Sequence, residues 1–540
     1  MKQHLLIFIL IVLPIIGFSQ EQDAWVYLTD KNNVSTSLAN PITILTQKAI
    51  DRKNAHGVVI DERDVPVNEN YISQLKVQSG ILVLAKSKWF NAVHVRGTET
   101  DINALLGLSF VSSIDFADKS LNASKSAQQK KISKFQEIFT VFNYGEAANQ
   151  IQMFNGDQLH LADYTGTGIT IAVLDAAFPK VNSMSSFQRL RNAGHIMGTY
   201  DFVNRDDDVY INRIGDATNH GTLVLSTMAG YIESQYVGTA PDASYYLFIT
   251  EDGLNENPVE ESYWVEAAER ADSLGVDVIN SSLGYGSFYD NTNYNYSASD
   301  FDGYTTYITK GANIAFEKGL LIVNSAGNEG NAGVNAPADS ARVFSIGAVD
   351  SNSDYASFSS MGSAIQPTQK PDVVAQGEAS FVINQNDVIG TANGTSFSSP
   401  IMAGGIACLW QALPNKTNAE IMQLVRESAS QYSSPDYYLG YGIPDLQLAL
   451  DNAIIADGNS NESKNITLFP NPTKELIYFR LPSDIGDVKV SIFDILGKRV
   501  LDQSISEVSN QIDMSTFSKG IYIAKIQSKS ISKIIKIIKQ

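Results

Sequence analysis

The chain has 540 residues, of which 44% are hydrophobic and 18% are charged, and its formal net charge is −19. This composition is typical of a globular protein of about three domains and excludes a largely disordered chain. An acidic chain repels phosphate backbones, which argues against nucleic acid as a partner. The single cysteine, Cys408, excludes an intramolecular disulfide framework and a cysteine-rich zinc site, and its apolar neighbours predict a small buried side chain.

The first 19 residues, MKQHLLIFILIVLPIIGFS, have the pattern of a secretory signal peptide. Lys2 precedes an apolar run and small residues follow it. A membrane anchor is the alternative, but residues 5–18 form a run of only 14 that contains Pro14, whereas a span needs about 20 residues. We expect cleavage after Ser19 and no transmembrane span in the mature chain.

The next part of the chain mixes strand and helix patterns and predicts a modest α+β unit over residues 20–118. Strand-like runs occupy residues 24–29, 80–85, 89–95 and 110–114, and residues 98–106 can form a short helix. The polar, Lys-rich stretch that follows, residues 118–136, indicates a solvated connector.

From about residue 145, apolar runs bounded by turns alternate with helical stretches. The runs are 169–174, 245–249, 276–279, 320–323 and 343–349, with helical spacing over 259–274. Nearly continuous Val, Ile and Leu strands that alternate with helices predict an α/β fold, a parallel sheet covered by helices on both faces. In such sheets the functional site lies at the carboxyl ends of the strands.

Three residue types needed for acyl transfer lie at predicted strand ends or helix starts. Asp175 ends the first run, His220 opens a helical stretch in NHGTLVLSTMAG, and Ser396 opens another in NGTSFSSPIMAG. Each has an ordinary structural alternative: a turn former or helix cap for Asp175, a structural histidine, and an N-cap for Ser396. Pro400 is expected in the first turn of the serine helix.

Two further segments follow strands of the same predicted sheet. Asn328 lies between small residues in NSAGNEG, and residues 280–286 (NSSLGYG) offer an extended, glycine-containing backbone edge. A hydroxyl nucleophile needs a base, the base needs an orienting carboxylate, and an acyl intermediate needs donors for its oxyanion. Together the segments therefore predict a hydrolase site at one edge of the sheet.

These motifs resemble those of the subtilisin-like serine proteases, the subtilases, over residues of about 145–452. The matching stretches are AVLD at 172–175, NHGT at 219–222, SLG at 282–284, AGNEG at 326–330 and GTSFSSP at 394–400, with lesser matches at 238–242, 347–350 and 356–360. The order Asp, His, Ser along the chain is that of subtilisin.

The resemblance implies a role for each residue of the site. Ser396 would attack the scissile carbonyl, His220 would carry its proton, and Asp175 would hold the imidazole. The Asn328 amide and the Ser396 backbone N–H would bind the oxyanion. The strand that pairs with substrate and the pocket beside it would be formed by Ser282, Leu283, Gly284, Ala326 and Gly327.

The sequence departs from compact subtilases at two places, and a third stretch offers a possible ion site. Residues 176–178 read AAF after the aspartate, where the family usually has Thr-Gly or Ser-Gly. Residues 285–306, rich in Tyr, Asn, Asp and Ser, are expected to be an insertion that either shapes specificity or forms a solvated loop. The acidic run 206–208 could bind a structural calcium ion, and a solvated acidic loop is the alternative. No other metal or cofactor is expected.

The regions before and after the predicted catalytic domain also resemble known domains. Residues 20–118 weakly resemble a subtilase propeptide. The last 76 residues carry 11 Lys/Arg against 7 Asp/Glu and show alternating runs at 475–481, 488–493 and 521–526, which predict a small all-β sandwich. The stretches LFPNPT at 468–473, VSIFD at 490–494 and KGIY at 519–522 resemble the C-terminal sorting domain of the type IX secretion system. An adhesive or carbohydrate-binding sandwich is the alternative.

The predicted organisation is a signal peptide (1–19), a propeptide with its connector (20–140), a catalytic domain (145–454), a linker (455–464) and a sorting domain (465–540). We expect a secreted or cell-surface serine endopeptidase, exported through the periplasm, with peptide or protein substrates and the type IX secretion machinery as partners. A non-catalytic surface protein on the same fold is the second hypothesis. A metallohydrolase is remote because no HExxH motif is present and histidines are few.

Overall fold

The computed structural model describes residues 20–122, 147–211 and 219–456, and, near the C-terminus, residues 467–469, 473–481, 488–494, 498–506, 510–528 and 532–539. The predicted signal peptide and most of the Lys-rich connector lie outside these residues. The chain divides into two compact units, Met1–Leu450 and Asp451–Gln540.

Residues 20–122 form an antiparallel sheet with short helices, as the α+β prediction expects. The elements are β1 (Glu21–Leu28), α1 (Val34–Ala39), α2 (Gln47–Ala55), α3 (Glu69–Lys76), β2 (Leu82–Ser87), β3 (Ala92–Thr98), α4 (Glu99–Ala104) and β4 (Val111–Phe116), and the strand order is β2-β3-β1-β4. The strand expected from residue 89 begins only at Ala92, because residues 88–91 make a turn in which Asn91 has φ of 49°. Asparagine tolerates this left-handed conformation better than most residues.

The larger part of the first unit alternates strands and helices. Its elements are α5 (Ala148–Gln152), α6 (Gly156–Leu161), β5 (Thr170–Asp175), α7 (Gln188–Asn192), β6 (Ile196–Asp201), α8 (His220–Ala229), β7 (Tyr231–Ile232), β8 (Tyr236–Val237), β9 (Ser244–Ile249), α9 (Val259–Leu274), β10 (Val278–Ser281), α10 (Tyr307–Glu317), β11 (Leu321–Ser325), β12 (Val343–Val349), β13 (Val373–Gln376), β14 (Ser380–Ile383), β15 (Ile389–Ala392), α11 (Thr395–Ala412), α12 (Asn418–Glu427) and α13 (Leu446–Ala456).

Seven of these strands form a parallel sheet in the order β13-β12-β11-β10-β5-β9-β6. Helices α8 and α11 pack on one face, and α9 and α10 pack on the other. Every residue of β5, β10, β11 and β12 is buried, which explains their apolar sequences. The predicted α/β fold class is confirmed, although the sequence patterns missed the strands β6 and β13.

The sheet of residues 20–122 packs against α9 through buried polar contacts. The Glu269 carboxylate accepts hydrogen bonds from Ser87 Oγ at 2.6 Å, Trp89 N at 2.9 Å and Lys88 N at 3.0 Å. Asp272, one turn further along the helix, accepts from Lys53 Nζ at 3.0 Å in a fully buried ion pair. Buried charges are tolerated only when they are paired in this way, so these contacts fix the docking geometry.

The second unit contains an all-β region, as predicted. Its strands are β16 (Thr467–Phe469), β17 (Leu476–Arg480), β18 (Val488–Asp494), β19 (Arg499–Ile505), β20 (Gln511–Asp513), β21 (Gly520–Gln527) and β22 (Ser532–Lys539). They form two antiparallel sheets, β16-β17-β20 and β19-β18-β21-β22. Phe479 and Ile512 of the first sheet share one core with Val490 and Ile526 of the second, which makes the region a small sandwich.

The remaining predictions about the chain as a whole concern membranes, the cysteine and the linker. Across the described residues, no helix has the length and apolarity needed to cross a membrane. Cys408 is buried, as expected, and burial raises the pKa of its thiol. Helix α13 ends at Ala456, two residues into the stretch predicted as a linker, and residues 457–464 lie outside the described part of the chain.

Candidate active site

The predicted aspartate and histidine meet at the carboxyl end of β5. Asp175 is fully buried, and its Oδ1 accepts hydrogen bonds from the backbone N–H of Ala176 at 2.8 Å and from His220 Nδ1 at 2.9 Å. Because a carboxylate only accepts, Nδ1 carries the proton, and Nε2 is then the basic nitrogen of the neutral imidazole. The ring is thereby held in the tautomer that a general base requires.

The glycine after the histidine lets α8 approach β5 closely. A Cβ at Gly221 would lie 2.4 Å from the carbonyl oxygen of Ala177 and 3.1 Å from Asp175 Cβ. Real Cβ atoms do not approach other atoms this closely, so glycine is required here. The His-Gly pair that the sequence analysis singled out therefore has a steric cause, which is the contact between the helix start and the strand end.

Ser396 is the second residue of α11, and it does not cap the helix. Gly394, with φ of 141°, is the N-cap residue and brings the chain sharply into the helix. The Ser396 side chain is nearly buried, and its Oγ lies 3.4 Å from the Ser282 carbonyl oxygen. The following residue, Phe397, packs its ring 5.9 Å from the His220 ring, so the serine and histidine belong to one site. The N-cap alternative for Ser396 is wrong.

Helix α11 begins one residue earlier than expected, which moves Pro400 into its second turn. Proline has no N–H, so the carbonyl of Ser396, four residues earlier, lacks its intrahelical donor. Ser282 Oγ donates to that carbonyl instead, at 2.8 Å. The expected first-turn position of Pro400 is thus corrected, and Ser282 is found to support the backbone of the candidate nucleophile.

Asn328 lies beside the start of α11, where Thr395 fixes its amide. The backbone N–H of Thr395 donates to Asn328 Oδ1 at 2.9 Å, and Thr395 Oγ1 lies 3.0 Å from the same oxygen. A Cβ on Gly394 would lie 3.5 Å from Asn328 Nδ2, which places the NH₂ group against the turn that leads to the serine. Thr395 was not singled out from the sequence, although it belongs to the Gly-Thr-Ser motif.

Two backbone edges flank this point. Residues 282–284 continue β10; the Leu283 carbonyl accepts from Asn324 Nδ2 at 3.0 Å, and within the described chain Gly284 makes no backbone hydrogen bond. Ala326 and Gly327 continue β11, and Gly327 has φ of 109°. The structure therefore brings all five predicted substrate-binding residues to the carboxyl edge of β10 and β11, close to Ser396.

The side chain of Asn335 occupies the space between these two edges, and the sequence analysis missed it. A Cβ on Gly284 would lie 3.2 Å from Asn335 Cβ, and a Cβ on Gly327 would lie 3.4 Å from Asn335 Nδ2. Glu329 and Ser360 brace the loop: Ser360 Oγ donates to Glu329 Oε2 at 2.9 Å. Asn335 comes near the 282–284 edge because the backbone of its neighbour Ala336 pairs with Tyr285. No local sequence pattern indicates this long-range pairing.

The Tyr-rich stretch 285–306 is not a solvated loop. Its residues Tyr285, Tyr289, Tyr294 and Tyr296 are buried, and the Tyr289 and Tyr296 hydroxyls both donate to the buried Glu261. Burial raises the pKa of Glu261, although the hydrogen bonds it accepts oppose that rise. The stretch is therefore an ordered part of the wall beside the 282–284 edge.

The acidic run 206–208, for which calcium binding and a solvated loop are the two alternatives, is held by its own turns. Asp206 Oδ1 accepts from the Asp208 backbone N–H at 2.9 Å, and Asp208 Oδ1 accepts from the Tyr210 backbone N–H at 3.1 Å. Among the residues that the structure describes, no group of three or more His, Cys, Asp and Glu is arranged to hold a metal. Calcium binding stays a prediction.

A parallel α/β sheet that carries serine, histidine and aspartate at its carboxyl edge defines the class of the protein, the serine hydrolases. Family models match three parts of the chain: the peptidase S8 propeptide domain of Bacteroidota (23–134), the subtilase family (166–442) and the secretion system C-terminal sorting domain (467–540). The chain belongs to the subtilase family.

Several of the curated relatives that the chain matches are subtilisins. The chain is 30% identical over 304 residues to subtilisin E of Bacillus subtilis (strain 168), which covers 55% of this chain and 70% of that one. It is 30% identical to a subtilisin of Bacillus pumilus, of which it covers 97%, and 28% identical to subtilisin Savinase of Lederbergia lenta, of which it covers 93%. The protein is a subtilisin-like serine endopeptidase made with a propeptide, and its sorting domain indicates type IX export to the medium or cell surface.

Proposed function

We propose that this endopeptidase hydrolyses peptide bonds through Asp175, His220 and Ser396 by way of an acyl-enzyme intermediate. Ser396 Oγ attacks the scissile carbonyl carbon while His220 Nε2 takes the hydroxyl proton. The tetrahedral intermediate collapses as the imidazolium returns that proton to the leaving amine, which leaves Ser396 esterified. Water then attacks the ester carbon as His220 takes its proton, and the imidazolium returns that proton to Ser396 Oγ as the ester bond breaks and the acid product leaves.

The observation that carries this proposal is the 2.9 Å contact between His220 Nδ1 and Asp175 Oδ1. It sets the imidazole tautomer, and the carboxylate stabilises the imidazolium that forms during the reaction. The oxyanion is bound by Asn328 Nδ2 and by the Ser396 N–H, which belongs to the first helical turn, where backbone donors have no intrahelical partner.

The substrate adds as a strand to the edge 282–284, and the residue before the scissile bond enters the pocket bounded by that edge and by Ala326 and Gly327. The open backbone of Gly284 supports this arrangement, because an added strand needs unpaired main-chain groups. No cofactor takes part in the reaction, and calcium at 206–208, if bound, would act only on stability.

The domain boundaries and the export route complete the proposal. The signal peptide carries the chain into the periplasm, the propeptide is cut from the catalytic domain within about residues 118–150, and residues 465–540 direct passage through the outer membrane. The polar connector supports the position of the cut, since exposed polar segments between folded regions are the preferred sites of proteolysis.

Peptide hydrolysis by Ser396→Ala and Ser398→Ala variants tests the mechanism. Both side chains are buried in α11, but Ser398 Oγ donates to the Thr395 carbonyl at 3.1 Å and takes no part in the reaction. We expect Ser396→Ala to lower kcat by at least about 10³-fold and Ser398→Ala to leave it within a few-fold of the wild type. Wild-type rates in Ser396→Ala would support the alternative, a non-catalytic surface protein carrying a contaminating peptidase.

A further inference from the structure

A lysine side chain of the propeptide is seated in a site made by the catalytic domain. Lys119 opens the short turn Lys119–Asn122 that follows β4. The Lys119 side chain is 37% exposed, but its ammonium nitrogen is inaccessible to solvent and lies 3.0 Å from Asp300 Oδ1 and 4.4 Å from the centre of the Tyr296 ring. An ion pair and a cation–π contact together recognise a basic side chain.

Asp300 and Tyr296 together form the seat of Lys119, and contacts within the catalytic domain hold both side chains in place. The Ser297 N–H and Oγ each donate to Asp300 Oδ2 at 2.7 Å, which fixes the carboxylate. The Tyr296 hydroxyl donates to Glu261 at 2.8 Å, and the ring packs edge-on against Tyr289. None of these contacts involves the propeptide, although the hydroxyl of the neighbouring Tyr294 accepts from the Asp23 N–H of the propeptide at 3.2 Å. We therefore expect the seat itself to persist when the propeptide leaves.

The charge of the seat also favours a cation. Burial would raise the pKa of Asp300, but the hydrogen bonds from Ser297 and the contact with Lys119 outweigh it, so the pKa is lowered. The Tyr296 hydroxyl donates to Glu261, so a second carboxyl group lies at the hydroxyl end of the ring. A vacated seat would therefore expose a preorganised carboxylate beside an aromatic face.

The seat adjoins the continuation of the predicted substrate edge. The edge 282–284 starts at Ser282, which touches Ser396, and leads towards Gly286. The Tyr296 N–H donates to the Gly286 carbonyl at 3.1 Å, so the segment that carries the seat is bonded to the chain two residues after Gly284. In the proenzyme, Lys119 precedes the cut site in sequence, as the residues upstream of a scissile bond do in any substrate.

We propose that Asp300 and Tyr296 form an exosite of the mature enzyme that binds a Lys or Arg side chain upstream of the scissile bond in protein substrates. This inference rests on the proposed peptidase function. The exosite would contribute to KM and not to the chemical step, because it lies away from the reacting atoms. The seat is partly exposed, so we expect its effect on kcat/KM to be about three- to tenfold and to weaken at high salt.

The test uses enzyme matured from the full chain and long peptides with twelve residues before one cleavable bond. A single Lys is moved from the fourth to the twelfth upstream position, and each peptide is compared with its Met counterpart. We expect wild-type enzyme to cleave the Lys peptide about three- to tenfold faster in kcat/KM at one position or two neighbouring positions. This measurement needs no variant, and equal rates throughout would overturn the proposal.

Three variants locate the effect. Asp300→Asn should abolish the Lys preference, and Asp300→Lys should replace it with a preference for Glu at the same position. Asp302→Asn is the matched control: this carboxylate lies in the same stretch and accepts from the Tyr304 and Thr305 N–H groups, whereas the ion pair of Lys119 is with Asp300. A Lys preference that survives Asp300→Asn would overturn the proposal.

Two further measurements separate this exosite from its alternatives. A short peptide with three upstream residues cannot reach the seat, so all these enzymes should hydrolyse it at the same rate. If the wild type did not hydrolyse this peptide at all, the proposed peptidase function would be contradicted. Inhibition by added propeptide should weaken with Lys119→Met. If Asp300→Asn changed only that inhibition and no substrate preference, the seat would be a propeptide anchor and the exosite proposal would be wrong.

Discussion

Ser282 Oγ donates a hydrogen bond to the main-chain carbonyl of Ser396, at 2.8 Å, across 114 positions of sequence. The carbonyl is free because Pro400 cannot supply the i+4 donor of α11. One residue of the predicted substrate edge therefore completes the hydrogen bonding of the helix turn that carries the proposed nucleophile. The segment predicted to bind substrate therefore also helps to position Ser396.

Ser282→Ala should destabilise the enzyme by about 1–3 kcal/mol, because it leaves the buried Ser396 carbonyl without a partner. We also expect a lower kcat, since the nucleophile's helix turn loses a support. Chemical unfolding and steady-state kinetics measure the two effects. In a Pro400→Ala background the helix regains its own donor, so the cost of Ser282→Ala should shrink. An equal cost in both backgrounds would contradict this explanation.

Asn328→Ala should lower kcat by about 10²–10³ and change KM little, the size of loss associated with one oxyanion donor in a subtilisin. Thr395→Val should reproduce part of that loss, because Thr395 Oγ1 lies 3.0 Å from Asn328 Oδ1 and helps orient the amide. Thr395→Ser keeps the hydroxyl and should stay close to the wild type. If KM alone rose, Asn328 would be a substrate-binding residue instead.

Propeptide affinity should fall as pH rises from about 5 to about 7. Burial under the propeptide raises the pKa of Glu269 to about 7 from its usual value near 4.5, although Lys88 and the hydrogen bonds from Ser87, Trp89 and Lys88 oppose the rise. The complex therefore binds a proton in this window that free enzyme does not, and low pH favours the complex. Because only one proton is coupled to binding, the propeptide affinity changes by at most about tenfold per pH unit.

Inhibition constants for added propeptide, measured from pH 4.5 to 8, check this expectation. Lys31 also faces this carboxylate from the propeptide, and other groups at the interface titrate, so the comparison is with Glu269→Gln, which removes one titration only. The wild type should lose more affinity than Glu269→Gln between pH 5 and 7. Parallel pH profiles would show that Glu269 does not control binding.

Deletion of residues 465–540 should leave peptidase activity intact once the protein has matured, because the tail forms its own core. In the native host we expect the truncated enzyme to accumulate in the periplasm, and mass spectrometry of the secreted wild type should find the tail removed. Normal appearance of the truncated protein in the medium would favour an adhesive β-domain over a sorting domain.

Features that depend on local sequence could be predicted, whereas features that depend on contacts between distant segments could not. Asp175, His220 and Ser396 stand in local motifs at strand ends or helix starts, so their grouping could be inferred from the rule for parallel sheets. The hydrogen bond from Ser282 to Ser396 joins two segments that are distant in sequence. It also depends on where Pro400 falls in α11, and that helix begins one residue before the sequence pattern indicates.

Elements were missed where their patterns are short or mixed. Strand β13 (Val373–Gln376) has only four residues, and β6 (Ile196–Asp201) contains Gly198 and polar residues because it lies at the sheet edge. The polar composition of the stretch 285–306 left open both a specificity element and a solvated loop, yet four of its tyrosines are buried and two of them donate to Glu261. Composition alone does not reveal such a buried acceptor.

The most direct test of the central claim is covalent labelling of mature enzyme with a fluorophosphonate, followed by peptide mapping. An activated serine is phosphonylated, and an ordinary buried serine is not, because only a hydroxyl with an adjacent base attacks the reagent. We predict one adduct, on Ser396, formed in step with loss of peptidase activity and absent in His220→Ala. Full inactivation with the adduct on another residue, or an active enzyme that never labels Ser396, would contradict the assignment.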